Sequence, residues 1–435
     1  MTAGEPGPAP PGADVARKSD AASRPDAARM VDADARELAA LPAAIPELVR
    51  RLGGRVHTGN WDYEANRLRI QHRPGAGISA MYRMPAGTGF NELGVSTEAI
   101  RVPGVAATRV FATNRTPGVT VSGWIHPHDP RLPALAQAAD RAFVQETWGE
   151  AELLTKLKIV AYRPLRRAVL RATFTTRGPL RIARTIYLKV GRPQAIEALN
   201  RRHELLAGTP VPVPPVLGPA IAGVLALEAG IGESLSAAIR PHSGADLDPR
   251  DFISLLDALP GSVMELKPRA AWSDSTRRYQ QAAALALPHR AGRIEELTGR
   301  IEAHLAASDR GDKVPAHGDF YDANILLDGG KITALLDLDS LGPGYRVDDL
   351  ACLLGHLAIL PTLGEKNDGA AGALERFAAV FERGVDPRAL WARSAAVALT
   401  LIAGSRGLGG ERWLQVAEAR LRVVEALVRR ADSRV

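Results

Sequence analysis

The spacing of apolar and polar positions changes character several times along the chain. Between about Arg55 and Trp124 the apolar residues fall in short runs, RLRIQHR, ISAMYRM, TRVFATN and VTVSGWIH, separated by Gly, Pro and Asn, and these predict strands. A Pro-rich bend, HPHDPRLPAL, leads into a helix at ALAQAADRAFVQ. Residues 156–190 return to strand spacing in KLKIVAYR, RAVLRATFTT and RTIYLKV. The helix QAIEALNRRHELLAG follows, with Gly208 placed to stop it. VPVPPVLGP reads as an extended connector and GVLALEAG as an apolar strand. From Leu235 to Arg310, and again over 345–432, helical periodicity dominates. The last helix, ERWLQVAEARLRVVEALVRR, sets Trp413, Ala417, Leu421, Val424 and Val428 on one stripe.

The N-terminal 35 residues carry Ala, Pro, Gly, Asp and Ser with almost no large apolar side chains, a composition that cannot bury enough surface to order itself. Ordered structure is expected to begin at the short helical pattern ARELAALPAAIPELVRRLG. The expected organisation is a disordered tail (1–35), a β-rich cap-like module (36–150), a β-rich lobe with one helix (151–234), and a mostly helical lobe (235–435). RLRIQHRPGAGISAMYR and KLKIVAYRPLRRAVLR echo one another, and the pair reads as two ordinary hairpins rather than a duplicated lobe.

Composition excludes several classes. Hydrophobic content of 46% and charged content of 24% are those of a globular protein. The single cysteine, Cys352, excludes an intramolecular disulfide, fits a reducing cytosol, and sits in the core-like run ACLLGHL. The net charge of +7 comes from arginines spread along the chain without interleaved aromatics, so nucleic acid is not an expected partner. No apolar span reaches the roughly 18 residues needed to cross a membrane, and the N-terminus lacks the apolar segment of a signal peptide. No G-x-x-x-x-G-K-[ST] run occurs. GSRGLGG lacks a preceding strand and reads as a loop, and the prolines of WIHPHDP break any regular metal-ligand spacing.

The stretch PAHGDFYDANILLDGGKITALLDLDS, residues 315–340, crowds acids between two apolar runs. Phosphoryl transfer asks a protein for a carboxylate that orients and deprotonates the attacking hydroxyl, hard oxygen ligands for Mg²⁺, and a cation on the phosphates. A carboxylate and an amide five positions apart, Asp319 and Asn324, can face one site from a single loop. Asp328-Gly329-Gly330 predicts a tight turn, which sets Asn324 and Asp337 at the same end of a hairpin.

His317-Gly318-Asp319 with Asn324, the hairpin, the strand ending at Asp337, and the following GPGYRVDDLACLL together resemble the catalytic core of the aminoglycoside phosphotransferase and choline kinase-like enzymes. The resemblance spans about residues 155–430 and leaves the 40–140 region unexplained. It implies an α+β, bilobal protein-kinase-like fold with a β-rich N-lobe, a mostly helical C-lobe and an extra N-terminal β-rich module. It implies that Asp319 is the catalytic base, that Asn324 and Asp337 hold Mg²⁺, and that His317 braces the loop. By the same resemblance Lys189 meets the nucleotide phosphates and Glu204 pairs with it, with Glu197 as the alternative. Taken without the resemblance, Lys189 is an ordinary edge-strand lysine. Backbone around Leu227–Ala229 would meet the nucleotide base. Asp339 is either a further ligand or substrate contact or a solvated or capping acid, and the two readings stand equal. Asp322 is expected to face solvent or substrate, and Asp348 or Asp349 to cap the next helix.

One departure from the protein-kinase pattern stands out. YRPLRRAVL occupies the place of the glycine-rich loop. Arg166 and Arg167 there read as solvated, with direct neutralisation of phosphate as the alternative. The implied activity is transfer of the γ-phosphate of ATP or GTP, with Mg²⁺, to a hydroxyl of a sugar, aminosugar or amino alcohol in the cytoplasm, with no membrane partner. Acids in the helical lobe are scattered, as at Asp322, Glu365 and Glu411, so an antibiotic acceptor is not expected. The competing reading, supported by the missing glycine-rich loop, is a non-catalytic kinase-like module that binds nucleotide for regulation.

Overall fold

In the computed structural model the described residues are 27–73, 77–100, 111–116, 119–178, 180–240, 244–408 and 412–434. The N-terminal part lays a long helix, α1 (Ala27–Arg51), across an antiparallel sheet of β1 (Arg67–Arg73), β2 (Gly77–Arg83), β3 (Glu92–Ser96), β4 (Phe111–Thr116) and β5 (Val119–Ile125), in the order β1-β2-β3-β5-β4. The helix therefore starts eight positions ahead of the expected boundary at residue 35, and the remainder of the expected tail lies outside the described residues. Leu41, Ala44, Ile45, Leu48 and Val49 form its buried stripe, at helical spacing. Pro42 and Pro46 stand inside the helix. Each costs an isolated helix about 3 kcal/mol, and burial of the stripe offsets that cost.

Strand β3, ELGVS, carried no sequence signal strong enough to predict it. Its central residue explains the weakness. A Cβ on Gly94 would lie 2.2 Å from the ring of fully buried Trp124 on β5, so only glycine fits beneath the indole.

Two short helices, α2 (Leu135–Ala138) and α3 (Arg141–Trp148), lead into the second sheet. That sheet is β6 (Glu152–Arg163), β7 (Arg167–Thr176), β8 (Ala183–Val190) and β9 (Val224–Glu228), all antiparallel, with α4 (Pro193–Leu206) inserted between β8 and β9. The two sheets share one core. Met81 and Trp124 of the first pack in the same cluster as Leu135, Val144 and Trp148 and as Tyr162, Leu170 and Leu188 of the second. The seam is also polar. Buried Asp129 accepts from the Leu165 amide and the Tyr162 hydroxyl, each at 2.7 Å, and Arg166 reaches Glu98 at 2.6 Å.

The C-terminal part runs β10 (Glu233–Ser234), α5 (Leu235–Ile239), α6 (Pro249–Asp257), α7 (Thr276–Ala286), α8 (Ala291–Ala306), β11 (Lys313–Ala316), β12 (Ile325–Asp328), β13 (Lys331–Leu335), β14 (Gly342–Tyr345), α9 (Arg346–Ile359), α10 (Gly369–Phe381), α11 (Pro387–Thr400) and α12 (Arg412–Asp432). Helices α9 and α11 are buried along most of their length and form the centre of the largest core. Fully burying each Leu or Phe there contributes about 1.5–3 kcal/mol. Phe252 and Phe377 meet edge to face at 4.9 Å between α6 and α10. Cys352 lies in this core on α9.

Among the described residues no helix is long and apolar enough to cross a membrane.

Candidate active site

The loop between β11 and β12 is shaped by its glycine and its histidine. Gly318 takes φ +78°, and a Cβ on it would lie 2.7 Å from the Ser340 carbonyl oxygen, so the backbone turns there only without a side chain. His317 is fully buried. Its Nε2 donates to the Leu336 carbonyl at 2.9 Å and its Nδ1 accepts from the Asp319 amide at 3.3 Å, which fixes the tautomer. Burial pushes its pKa down to about 4, so the ring is a neutral brace across the loop.

Asp349, in the first turn of α9, accepts from the amides of His317 and Gly318 at 2.8 and 2.7 Å. Neither it nor Asp348 caps the helix, contrary to the expectation. Asp348 instead pairs with Arg310 at 2.7 Å and accepts from Ser273 at 3.2 Å. Burial drives the Asp349 carboxyl up to about 7 against the pull of its two backbone bonds.

Asp319 is carried to the open side of this loop. Trp272 donates its indole N–H to Asp319 Oδ1 at 3.3 Å, and Asn324 donates its amide to the Asp319 carbonyl at 2.9 Å. Burial, then the nearby Asp337 charge, raises the Asp319 carboxyl to about 6. The Trp272 bond and the charges of Arg167 and Arg163 oppose the rise.

The hairpin behaves as the Asp-Gly-Gly spacing predicts. Asp328 pairs with Lys331 across Gly329 and Gly330, both at positive φ, which is a two-residue hairpin turn. Ile325 stands opposite Leu335 and the Leu336 amide donates to the Asn324 carbonyl at 2.8 Å, so Asn324 and Asp337 lie at one end of the hairpin. Asp337 adopts the left-handed region, φ 58° and ψ 60°, a conformation open to a short polar side chain.

Lys189, in β8, reaches across to this end. Its ammonium lies 2.7 Å from Asp337 Oδ1 and 3.0 Å from Asp339 Oδ2. Arg167 of β7 stands 3.6 Å from both carboxylates. Burial works against charge at Asp337, yet the hydrogen bond from Asp339 and the charges of Lys189 and Arg167 hold it well below the usual carboxylate range. Burial and the same hydrogen bond push Asp339 up. Asp339 pairs with Lys189 rather than capping a helix, and Arg167, its side chain 39% exposed, stands beside both acids. Arg166 pairs with Glu98 instead of facing phosphate.

The expected partner of Lys189 is not brought to it. Glu204 is exposed on α4 and accepts from Asn200 at 2.7 Å, and Glu197 is exposed as well. The buried face of the helix is Ile196, Leu199, Arg202, His203 and Leu206, which turns both glutamates outward. Arg202 donates to the Leu341 carbonyl at 3.0 Å. Burial and the Lys189 charge push His203 down to about 4. Asp322 is buried, 3.9 Å from His356, so it does not face solvent, the first of its two expected placements. The amides of Glu228 and Ala229 donate to the carbonyls of Pro215 and Thr185 at 2.9 and 3.1 Å. Glu411 and the side chain of Glu365 lie outside the described residues.

Sequence reasoning missed Trp272 as a site residue, set Arg167 on phosphate only as the alternative to a solvated residue, and read Asp349 only as a candidate helix cap. Trp272 sits in AAWSDS, a stretch with no motif, and it reaches Asp319 through tertiary packing.

Among the described residues no three His, Cys, Asp or Glu side chains cluster as an all-protein metal cage. The donors present are hard oxygens, and Asp337 is held ionised. They suit Mg²⁺, which keeps waters and shares substrate phosphates with one or two protein ligands.

The sequence points to the same class of enzyme. Residues 169–396, just over half of the chain, match the sequence model of the family described as the phosphotransferase enzyme family, APH, and the chain belongs to that family. Solved structures are similar to it at low identity. A thermostable mutant of aminoglycoside phosphotransferase APH(4)-Ia in its apo form is 17% identical, with 67% of this chain and 98% of that chain covered and a TM-score of 0.46. A choline/ethanolamine kinase family protein from Mesorhizobium loti is 16% identical, covering 68% and 97%, with a TM-score of 0.47. ADP-bound aminoglycoside phosphotransferase APH(2'')-Ib is 11% identical, covering 68% and 99%, at 0.40. No curated protein matches the chain significantly. The architecture is α+β, with antiparallel sheets leading into a mostly helical C-terminal part, and the protein is a phosphotransferase.

Proposed function

We propose that this phosphotransferase moves the γ-phosphoryl group of ATP or GTP to a hydroxyl of a small molecule, a sugar, aminosugar or amino alcohol. The observation that carries the reading is Asp319, a carboxylate raised to about 6 and held by a braced loop whose other end sets Asn324 beside Asp337. In this reading Asp319 orients the acceptor hydroxyl and takes its proton as the oxygen–phosphorus bond forms and the bond from the γ-phosphorus to the β-phosphate oxygen breaks, releasing the nucleoside diphosphate. Lys189 and Arg167 turn from the two carboxylates to the nucleotide phosphates. Asn324 donates through Nδ2, which leaves Oδ1 for a cation, so Asn324 and Asp337 are the proposed Mg²⁺ ligands. When bound, the ion neutralises charge on the phosphates. A cytoplasmic site of action follows from the need for nucleoside triphosphate.

Lys189 pairs with Asp337 and Asp339 rather than with an acid of α4, which favours a second reading, a nucleotide-binding module without turnover. Measuring Mg²⁺-dependent nucleotide consumption against a panel of sugars, aminosugars and amino alcohols, with Asp319→Asn as control, separates the two. Acceptor-dependent turnover lost in the variant supports the kinase. Tight nucleotide binding with no turnover on any acceptor, and no change in the variant, supports the module.

A further inference from the structure

A cavity of about 720 Å³ lies where the N-terminal sheet meets β6. Its walls come from β1, β2 and the start of β3, from His126 just after β5, and from Ile159 and Tyr162 of β6. Small-molecule sites span roughly 300–1,000 Å³ and join an apolar wall to a few convergent polar groups.

The polar groups here have hydrogen-bonding capacity to spare. Arg69 donates one N–H to the Tyr162 carbonyl at 3.3 Å. The Glu92 carboxylate meets no donor within hydrogen-bond distance among the described residues, and its nearest charged neighbour is His126 Nε2 at 3.9 Å. His126 Nδ1 is buried without a partner. Burial, then the Arg69 and His128 charges, push the imidazole down to about 4, so the ring is neutral. The cavity therefore sets one cation and one anion around an uncharged ring.

The rest of the wall is apolar. Met81 is buried, Phe90 and Ile159 are half-buried, and Leu68 is 37% exposed. A lone carboxylate on Arg69 would leave Glu92 unmatched, and a lone amine on Glu92 would leave Arg69 unmatched. A neutral sugar would match neither charge. A free α-amino acid carries both charges on one carbon and offers its side chain to the apolar wall.

The cavity also touches the turn beside the phosphates. Tyr162 donates its hydroxyl to Asp129 at 2.7 Å, and Asp129 accepts from the Leu165 amide at 2.7 Å. Leu165 holds φ +64° in the β6–β7 turn, and Arg167, two positions on, stands 3.6 Å from Asp337 and Asp339. Hydrogen bonds thus run from the cavity wall to the turn that leads into Arg167.

We propose that this cavity is a regulatory site for a free α-amino acid with a large apolar side chain, its carboxylate on Arg69 and its ammonium on Glu92, and that its occupancy steadies the β6–β7 turn and tightens nucleotide binding. The binding site stands by itself, and its regulatory role rests on the phosphotransferase reading above.

The test is isothermal titration calorimetry of the full chain with leucine, methionine and phenylalanine as free amino acids. Phenethylamine and phenylpropionate supply one charge each, and glucose supplies none. At least one amino acid is expected to bind, with all three control compounds weaker by about tenfold or more. Arg69→Met and Glu92→Gln are expected to weaken that amino acid about tenfold with unchanged circular dichroism. Saturating amino acid is expected to lower the Kd for ADP with Mg²⁺ about fivefold or more. Tyr162→Phe, which loses only the hydroxyl on Asp129, is expected to keep amino-acid binding and lose the shift in ADP affinity. No binding of any amino acid, equal binding of the single-charge compounds, or binding unchanged in both charge variants overturns the site. Binding that leaves ADP affinity unchanged overturns the regulatory role. A shift in ADP affinity without turnover on any acceptor supports the inference and overturns the kinase reading instead.

Discussion

The Lys189 ammonium and Asp337 Oδ1 lie 2.7 Å apart and join the second β-sheet to the hairpin end, 148 positions later in the chain. Each favours the charged form of the other, and Arg167 and Asp339 complete the cluster. Replacing Lys189 by Met removes the cation proposed for the phosphates and lets the Asp337 carboxyl titrate at higher pH. The expected result is a fall in kcat/KM of about 10²–10³-fold, with an unchanged circular dichroism spectrum, measured by steady-state assay at saturating Mg²⁺.

Asp319 must be ionised to accept a proton. With its pKa raised to about 6, kcat/KM is expected to fall as the pH drops through that value and to level off above it. Asp319→Asn is expected to lose about 10²–10⁴-fold in kcat and the acid limb with it. A pH–rate profile of both proteins checks this.

Asp349 holds the loop through the His317 and Gly318 amides. Its folded pKa of about 7 lies above the ordinary carboxylate value. The native state therefore favours the protonated form, and this contribution is present in acid and is lost as the pH rises through about 7. Asp349→Asn stays neutral, so its denaturant midpoint is expected to change less between pH 5 and 8 than that of the wild type. Asp349→Ala leaves two buried amides unpaired and is expected to cost about 2–4 kcal/mol, read from urea unfolding.

Asp129 ties the N-terminal sheet to the β6–β7 turn, which stands where a glycine-rich loop would cover phosphate. Its carboxylate takes the Leu165 amide and the Tyr162 hydroxyl. Asp129→Ala is expected to lower stability by about 1–3 kcal/mol and to raise the nucleotide KM while the acceptor KM stays the same. Urea unfolding and two-substrate kinetics measure the two effects.

The parts of the site that lie close in sequence could be read from it. The His317–Asn324 loop, the hairpin at Gly329-Gly330 and the meeting of Asn324 with Asp337 follow from local spacing and turn chemistry, and Lys189 came with the motif. What failed depended on rotation and on contacts distant in sequence. Glu204 and Glu197 were placed by order along α4, but the apolar stripe of Ile196, Leu199 and Leu206 fixes the helix rotation and points both away. Strand β3 was hidden because Gly94 has no side chain to signal a strand. Trp272 entered the site through folding alone, while folding brought Arg167 beside Asp337 and Asp339 and gave Asp349 the loop amides instead of a helix cap.

The most direct measurement of the central claim is the product itself. ³¹P NMR of the full chain with Mg²⁺, ATP and the acceptor panel should show a new phosphomonoester resonance growing in step with ADP, and none with Asp319→Asn. An equal resonance from Asp319→Asn, or ATP lost only to inorganic phosphate with no acceptor phosphorylated, would contradict phosphoryl transfer through Asp319.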